Sequence, residues 1–273
     1  MVRQEFKTSG FTLIELLVVI SIIALLLSIL MPSLNKVRAQ AQQVACASNF
    51  RQWGLGADMY CSDNDEKYWN GPFPEGRRAT TDGRMVEHSP YFGNALKDYC
   101  QDPELRVCPA TSLSDSGEWG RYPGWGPIPE AQPWWPTGHY GSYAENMFLS
   151  PGELRATLKN SPEQWRRRDN LIRPDLVPII FDSWSAFAGM RTSDEIPPVP
   201  DVPLGGANGA YRIATMRHGG YIDVLMGDSS VKRVSYKGMW WLRWHKKYRM
   251  TEDMLPVWDE FPWLDQVPDQ EFH

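Results

Sequence analysis

His218 is followed by two carboxylates, Asp223 and Asp228. An imidazole near carboxylates can ligate a metal, pass a proton or brace a turn. Asp223 falls in a segment that reads as a strand and Asp228 in the turn after it, so the expected role is structural: a histidine bonding across a hairpin. The remaining histidines, His88, His139, His245 and His273, are scattered. No H-x-x-x-H, G-x-S-x-G or phosphate-binding glycine loop occurs, and the sequence gives no reason to expect an enzyme.

Four cysteines, Cys46, Cys61, Cys100 and Cys108, form no C-x-x-C, which argues against a zinc ribbon or a thioredoxin-like redox pair. Outside the cytoplasm they can form two disulfides in any of three pairings, with Cys100–Cys108 preferred; buried free thiols are the other reading. No metal site is expected. Asp63-Asn64-Asp65-Glu66 gathers oxygen ligands of the kind calcium takes, but lacks the glycine and distal glutamate of an EF-hand loop. A solvated acidic turn is the expectation there, and calcium the alternative.

Thirteen tryptophans, all after position 52, are densest at Trp134-Trp135 and at Trp240, Trp241 and Trp244. They either plug a loop-rich core or form an aromatic platform for a glycan or a nucleic acid. Cations and aromatics alternate from Arg243 to Arg249. The acids that follow, Glu252 to Glu271, carry no lysine or arginine among them and can fold back on that stretch.

These groups need a scaffold. The 273 residues carry 28 basic and 33 acidic side chains, and a hydrophobic fraction of 42% is enough to bury a core and excludes global disorder. From Phe11 to Met31 the chain is apolar except for Glu15 and the hydroxyls Thr12, Ser21 and Ser28. As a helix, such a run matches the ~30 Å hydrocarbon core of a bilayer, and it predicts one membrane pass. Pro32 is expected to loosen the helix without ending it. Beyond it, Val37, Ala41, Val44, Ser48, Leu55 and Met59 recur at nearly helical spacing and predict the face that packs on a head. After Cys61 the sequence breaks into short apolar pieces between turns. The clearest strands are 177–181, 221–226 and 231–236, the last two joined by Gly227-Asp228-Ser229-Ser230 as an antiparallel hairpin.

The N-terminal segment Gly10-Phe11-Thr12-Leu13-Ile14-Glu15, followed by the apolar run, resembles the processing site of type IV prepilins and type II secretion pseudopilins. The resemblance implies that a prepilin peptidase cuts after Gly10 on the cytoplasmic side and methylates Phe11. It also implies that Glu15 meets the amine of a neighbouring subunit's Phe11. A carboxylate at membrane depth costs about 2.5–3.5 kcal/mol on insertion scales, so it should have a partner or a functional reason.

The implied fold is α+β, a long N-terminal helix packed on a loop-rich antiparallel β head. The implied divisions are a leader at 1–10, a transmembrane and assembly helix at 11–31, an amphipathic half at 32–60 and an extracytoplasmic head at 61–273. Implied partners are the peptidase, other pilin-like subunits, the pilus or secretion machinery and the membrane. The implied location is the bacterial inner membrane, single-pass, with the head in the periplasm or on an extracellular filament. The rival reading is a membrane-tethered, Trp-rich module that binds glycan or nucleic acid.

A second resemblance lies at Arg217-His218-Gly219-Gly220 through Asp228, where nine residues separate His218 from Asp228 as in a His-x9-Asp-Gly pseudopilin-like subgroup. Ser229 stands where that subgroup has glycine, which leaves the turn type open. Similar pieces occur at Cys46-Ala47-Ser48-Asn49-Phe50-Arg51-Gln52, at Cys108-Pro109-Ala110 and at Gly141-Ser142-Tyr143-Ala144-Glu145-Asn146.

Overall fold

The computed structural model describes residues 13–69, 92–111, 141–149, 162–185, 187–200, 209–213 and 217–270. Gly10, Phe11, His88, Trp134, Trp135, His139 and His273 lie outside them. The chain divides into two units, one ending at Ala41 and a head that begins at Gln42.

Helix α1, Leu13–Asp63, is continuous through Pro32. Its first stretch is long and apolar enough to cross a membrane. Hydroxyls in this apolar stretch bond to their own backbone, Ser21 to the Leu17 carbonyl at 2.7 Å and Ser28 to that of Leu25 at 2.7 Å, so they bring no unsatisfied donor into an apolar medium. The helix ends where Asp65 and Glu66 turn left-handed, φ 54° and 59°, and the Glu66 N–H closes on the Cys61 carbonyl at 2.8 Å.

The face that α1 buries is not the aliphatic stripe predicted from the spacing. Val44 is 68% exposed and Leu55 65%, whereas Cys46, Phe50, Trp53, Ala57 and Cys61 are buried. The buried stripe also keeps helical spacing, but it is made of aromatic, thiol and small residues. Large rings supply area, and small residues let the neighbours come close. At Gly56 an added Cβ would sit 2.4 Å from the Cys100 sulfur, so only glycine fits that approach.

The head is built on a five-stranded sheet in the order β3-β1-β2-β4-β5, with β1 Tyr143–Asn146, β2 Pro178–Asp182, β3 Phe187–Ala188, β4 Tyr221–Met226 and β5 Val231–Ser235. The expected α+β class holds. The expected antiparallel pairing holds among β1, β2, β4 and β5, but β3 runs parallel to β1 at one edge. The residues that would form that pairing, Phe187 and Ala188, are too few to leave an alternating signature. β4 and β5 form the predicted hairpin, with Ile222 opposite Val234.

Its turn is a three-residue loop, Gly227-Asp228-Ser229, of the kind in which a left-handed third residue follows a tight turn. The Ser229 N–H bonds the Met226 carbonyl at 3.0 Å, and Ser229 itself takes φ 64° in place of a glycine. Its hydroxyl donates to Asp58 on α1 at 2.6 Å, an interaction glycine cannot make. Arg168 adds a second tether, bonding Asp58 at 2.9 Å and Glu66 at 2.7 Å.

At the other sheet edge the Gln270 side chain lies along β5. Its amide oxygen accepts from the Ser235 N–H at 2.6 Å and its NH₂ donates to the Arg233 carbonyl at 3.2 Å. Asp269, from the acidic tail, meets Lys237 at 2.9 Å rather than the basic stretch after Arg243.

Candidate functional site

Three regions carried chemical expectations. Glu15 lies in the first turn of α1, within the apolar stretch. The cleavage pair Gly10 and Phe11 lies just before the described residues.

The proposed aromatic platform is turned inward. Trp240 is 1% exposed and Trp244 fully buried; Trp241 is half-buried. Trp244 stacks edge-on against Phe181 of β2 at 5.0 Å and donates its indole N–H to the Met239 carbonyl at 2.9 Å. Trp240 packs against Trp258 at 6.2 Å, and Tyr248 between the nearby cations is also buried. These rings fill the core of a head whose strands are short, so a binding surface built on Trp240 and Trp244 is corrected to core packing. The acidic turn after α1 likewise spends its carboxylates separately: Asp63 accepts from the Tyr99 hydroxyl at 2.8 Å, Asp65 pairs with Lys67 at 3.2 Å and Glu66 with Arg168.

The third region is a buried polar knot where five segments meet. Asp182, at the end of β2, is fully buried. It lies 3.4 Å from Arg217 and 3.5 Å from His218 Nε2, and accepts from the Asp223 backbone N–H of β4 at 3.0 Å. Arg217 also donates to the carbonyls of Ser142 and Ser183, both at 2.7 Å. Gly219 and Gly220, at φ 67° and 84°, make the tight bend that carries the chain from this pair into β4. From α1, Cys46 brings its sulfur to 3.3 Å from the Tyr143 hydroxyl and 3.9 Å from either Asp182 oxygen. From the loop after Arg106, Cys108 brings its sulfur to 3.3 Å from His218 Nε2.

The arrangement corrects two expectations. His218 does not brace the hairpin with its ring; the bond to β5 is made by its backbone carbonyl, which accepts from Arg233 at 3.0 Å. Asp223 sits in β4 opposite Arg233, with its carboxyl close enough to favour the charged form of His218, while Asp228 holds the turn by accepting from Ser230. Nor are Cys100 and Cys108 paired: all four cysteines are free and buried. Cys108 lies instead with Cys46, while Cys100 sits against Gly56 and donates to the Gln52 carbonyl.

The electrostatics of the knot are strongly coupled. Burial alone would raise the Cys108 thiol, but hydrogen bonds with Cys46 and His218 and the charges of His218 and Arg217 outweigh it and hold it well below its ordinary value. Burial opposes the charge on His218, yet Cys108 and Asp182 push its pKa up to about 9. Asp182 is pushed up to about 7, chiefly by burial and then by the Cys108 charge. Cys46 is raised well above its ordinary value, chiefly by burial. A thiolate beside an imidazolium is a nucleophile pair, but Cys46, Cys108 and Asp182 are fully covered and His218 is only 7% exposed. A substrate cannot reach the sulfur without opening the core.

Asp182 was missed in the sequence because nothing near it in the chain hints at its partners. A signal did exist for the others. Cys46, Cys108, Ser142, Tyr143, Arg217 and His218 all fall in the short segments that carry the family resemblance, and the fold brings those segments to one place.

A separate buried acid, Glu145 of β1, is fully covered and accepts from the Trp69 indole N–H. Burial pushes its pKa up to about 8, against the lowering effect of Trp69 and the Phe92 backbone N–H.

Residues 6–31 match the model of the prokaryotic N-terminal methylation motif. No curated protein and no solved structure matches the chain. The motif match supports a pilin-like subunit that is a substrate of prepilin peptidase and is anchored by a membrane-capable N-terminal helix.

Proposed function

We propose that the chain is a structural subunit of a pilus or secretion pseudopilus, without catalytic activity of its own, anchored in the inner membrane as a precursor and assembled through α1. The observation that carries this reading is the methylation-motif match at 6–31, which runs directly into a helix that continues unbroken to Asp63. The outward face of α1 supports it. Leu34 and Val37 in the first unit, and Val44, Leu55 and Met59 in the head, are exposed beyond the membrane-length stretch, apolar side chains suited to neighbouring helices in a bundle. In this reading Glu15 compensates the amine of a neighbour's Phe11, the head lies on the filament surface, and the assembly machinery is supplied by other proteins. The rival reading, a Trp-rich module for glycan or nucleic acid, loses the support of Trp240 and Trp244, which lie in the core, while Trp134 and Trp135 lie outside the described residues.

The test is the N-terminal residue and intact mass of the protein isolated from its native membrane. N-methylated Phe11 is the expected result; an intact Met1, or a cut elsewhere, overturns the reading.

A further inference from the structure

We propose that Cys46, Cys108, Asp182 and His218 together bind one tetrahedral divalent ion of the zinc class inside the head. The donor set is two sulfurs, one imidazole nitrogen and one carboxylate oxygen, a mixture that suits such an ion. The four donor atoms lie within 4.8 Å of one another.

Their spacing is close to what the ion would impose. Bonds of about 2.3 Å to sulfur and about 2.0–2.2 Å to nitrogen and oxygen, opened to the tetrahedral angle, set donor-to-donor separations of roughly 3.4–3.8 Å. The observed separations are 3.3 Å for Cys108–His218, 3.5 Å for His218–Asp182 and 3.9 Å for Cys46–Asp182. Small side-chain movements bring all four onto a common centre.

The surroundings fit as well. Two thiolates and a carboxylate around a dication leave a single negative charge, and Arg217 at 3.4 Å from Asp182 neutralises it. Outer partners orient the donors, as bound ions require: the Asp223 N–H holds one Asp182 oxygen, and the Tyr143 hydroxyl lies on Cys46. Tyr143 is positioned in turn by the side-chain amide of Asn49, which donates to it at 3.3 Å.

Two other uses of the same thiols fit less well. Nucleophilic chemistry needs access, which the burial denies. A Cys46–Cys108 disulfide would need the sulfurs at about 2.0 Å, and would use neither His218 nor Asp182. The inference stands on the head alone and does not depend on the filament reading.

The experiment uses the full chain in detergent, with cobalt(II) as the probe and the native thiols mapped by alkylation without reductant. The expected result is one cobalt per chain, with a thiolate-to-cobalt charge-transfer band and the visible absorption of a tetrahedral site. Cys108→Ser and His218→Gln should lose that spectrum, and Cys61→Ser and Cys100→Ser should keep it. Absence of a thiolate–cobalt band in the unmutated chain overturns the proposal. So does a band that survives Cys108→Ser, or isolation of the native protein with Cys46 and Cys108 joined to each other. The unmutated spectrum decides the question even where a variant fails to fold.

Discussion

Replacing Glu145 by glutamine should convert a pH-sensitive head into one that is stable over a wider range. The carboxyl is fully buried, and its pKa moves from 4.5 to about 8 on folding. Below pH 4.5 both the folded and unfolded chains hold the proton and the shift has no effect. Between the two values the folded state keeps a proton that the unfolded state releases, so stability falls as pH rises through this window, and the decrement is complete above about pH 8.

At about 1.4 kcal/mol for each pH step, the full loss is roughly 5 kcal/mol, and near pH 7 it is roughly 3 kcal/mol. Glutamine has no charge to lose. Its amide oxygen can keep the Trp69 indole bond, while its NH₂ enters the Oε1 position, which has no hydrogen-bond partner among the described residues, at a cost of about 1 kcal/mol. The variant should therefore be slightly less stable than the parent near pH 4, and more stable by roughly 2 kcal/mol near pH 7. Urea denaturation of the two full-length proteins in the same detergent, at matched pH values, measures the difference directly and cancels the titration of every other group. A difference that stays constant from pH 4 to pH 8 would refute the assignment of Glu145 as a carboxyl held protonated by burial.

Gly56→Ala should destabilise the head by about 1–3 kcal/mol through overpacking, despite a helix-propensity gain of about 1 kcal/mol. The new methyl would fall 2.4 Å from the Cys100 sulfur. Gly54→Ala should cost less, because the group it meets, at 2.8 Å, is the flexible end of Leu225; thermal melts that rank the two in the reverse order would contradict the packing described. Glu15→Val should still insert and be processed but fail to enter filaments in a complementation assay, and normal incorporation would remove Glu15 from the assembly mechanism.

What could be read from the chain depended on whether the signal was local. The β4–β5 hairpin was legible because Tyr221–Met226 is mostly apolar, Val231–Ser235 follows it closely with valines at its first and fourth positions, and turn residues join the two. α1 was legible as a helix across Pro32, but its inner face was not. Counting aliphatics favoured Val44 and Leu55, whereas the packing is decided by Phe50 and Trp53 and by the small residues on the same buried face, Cys46, Gly54 and Ala57, that let the head approach. β1 and β3 are four and two residues long and carry no period to detect. The knot drew on Cys46, Cys108, Asp182 and His218, distant in sequence and joined only by the fold. Cysteine spacing therefore pointed to the wrong neighbour for Cys108.

The Gln270 amide along β5 bears on how many such heads can share a small space. An uncovered strand edge is a template for another strand. On a filament surface each head would present that edge at high local density to its neighbours, where sheet-to-sheet joining would compete with the intended contacts between helices. By occupying the Ser235 N–H and the Arg233 carbonyl with its own side chain, and by setting Lys232 and Arg233 on the same strand, the chain keeps its sheet finite. In the proposed filament, crowding could then be tolerated without fusion, and order along it would be left to α1.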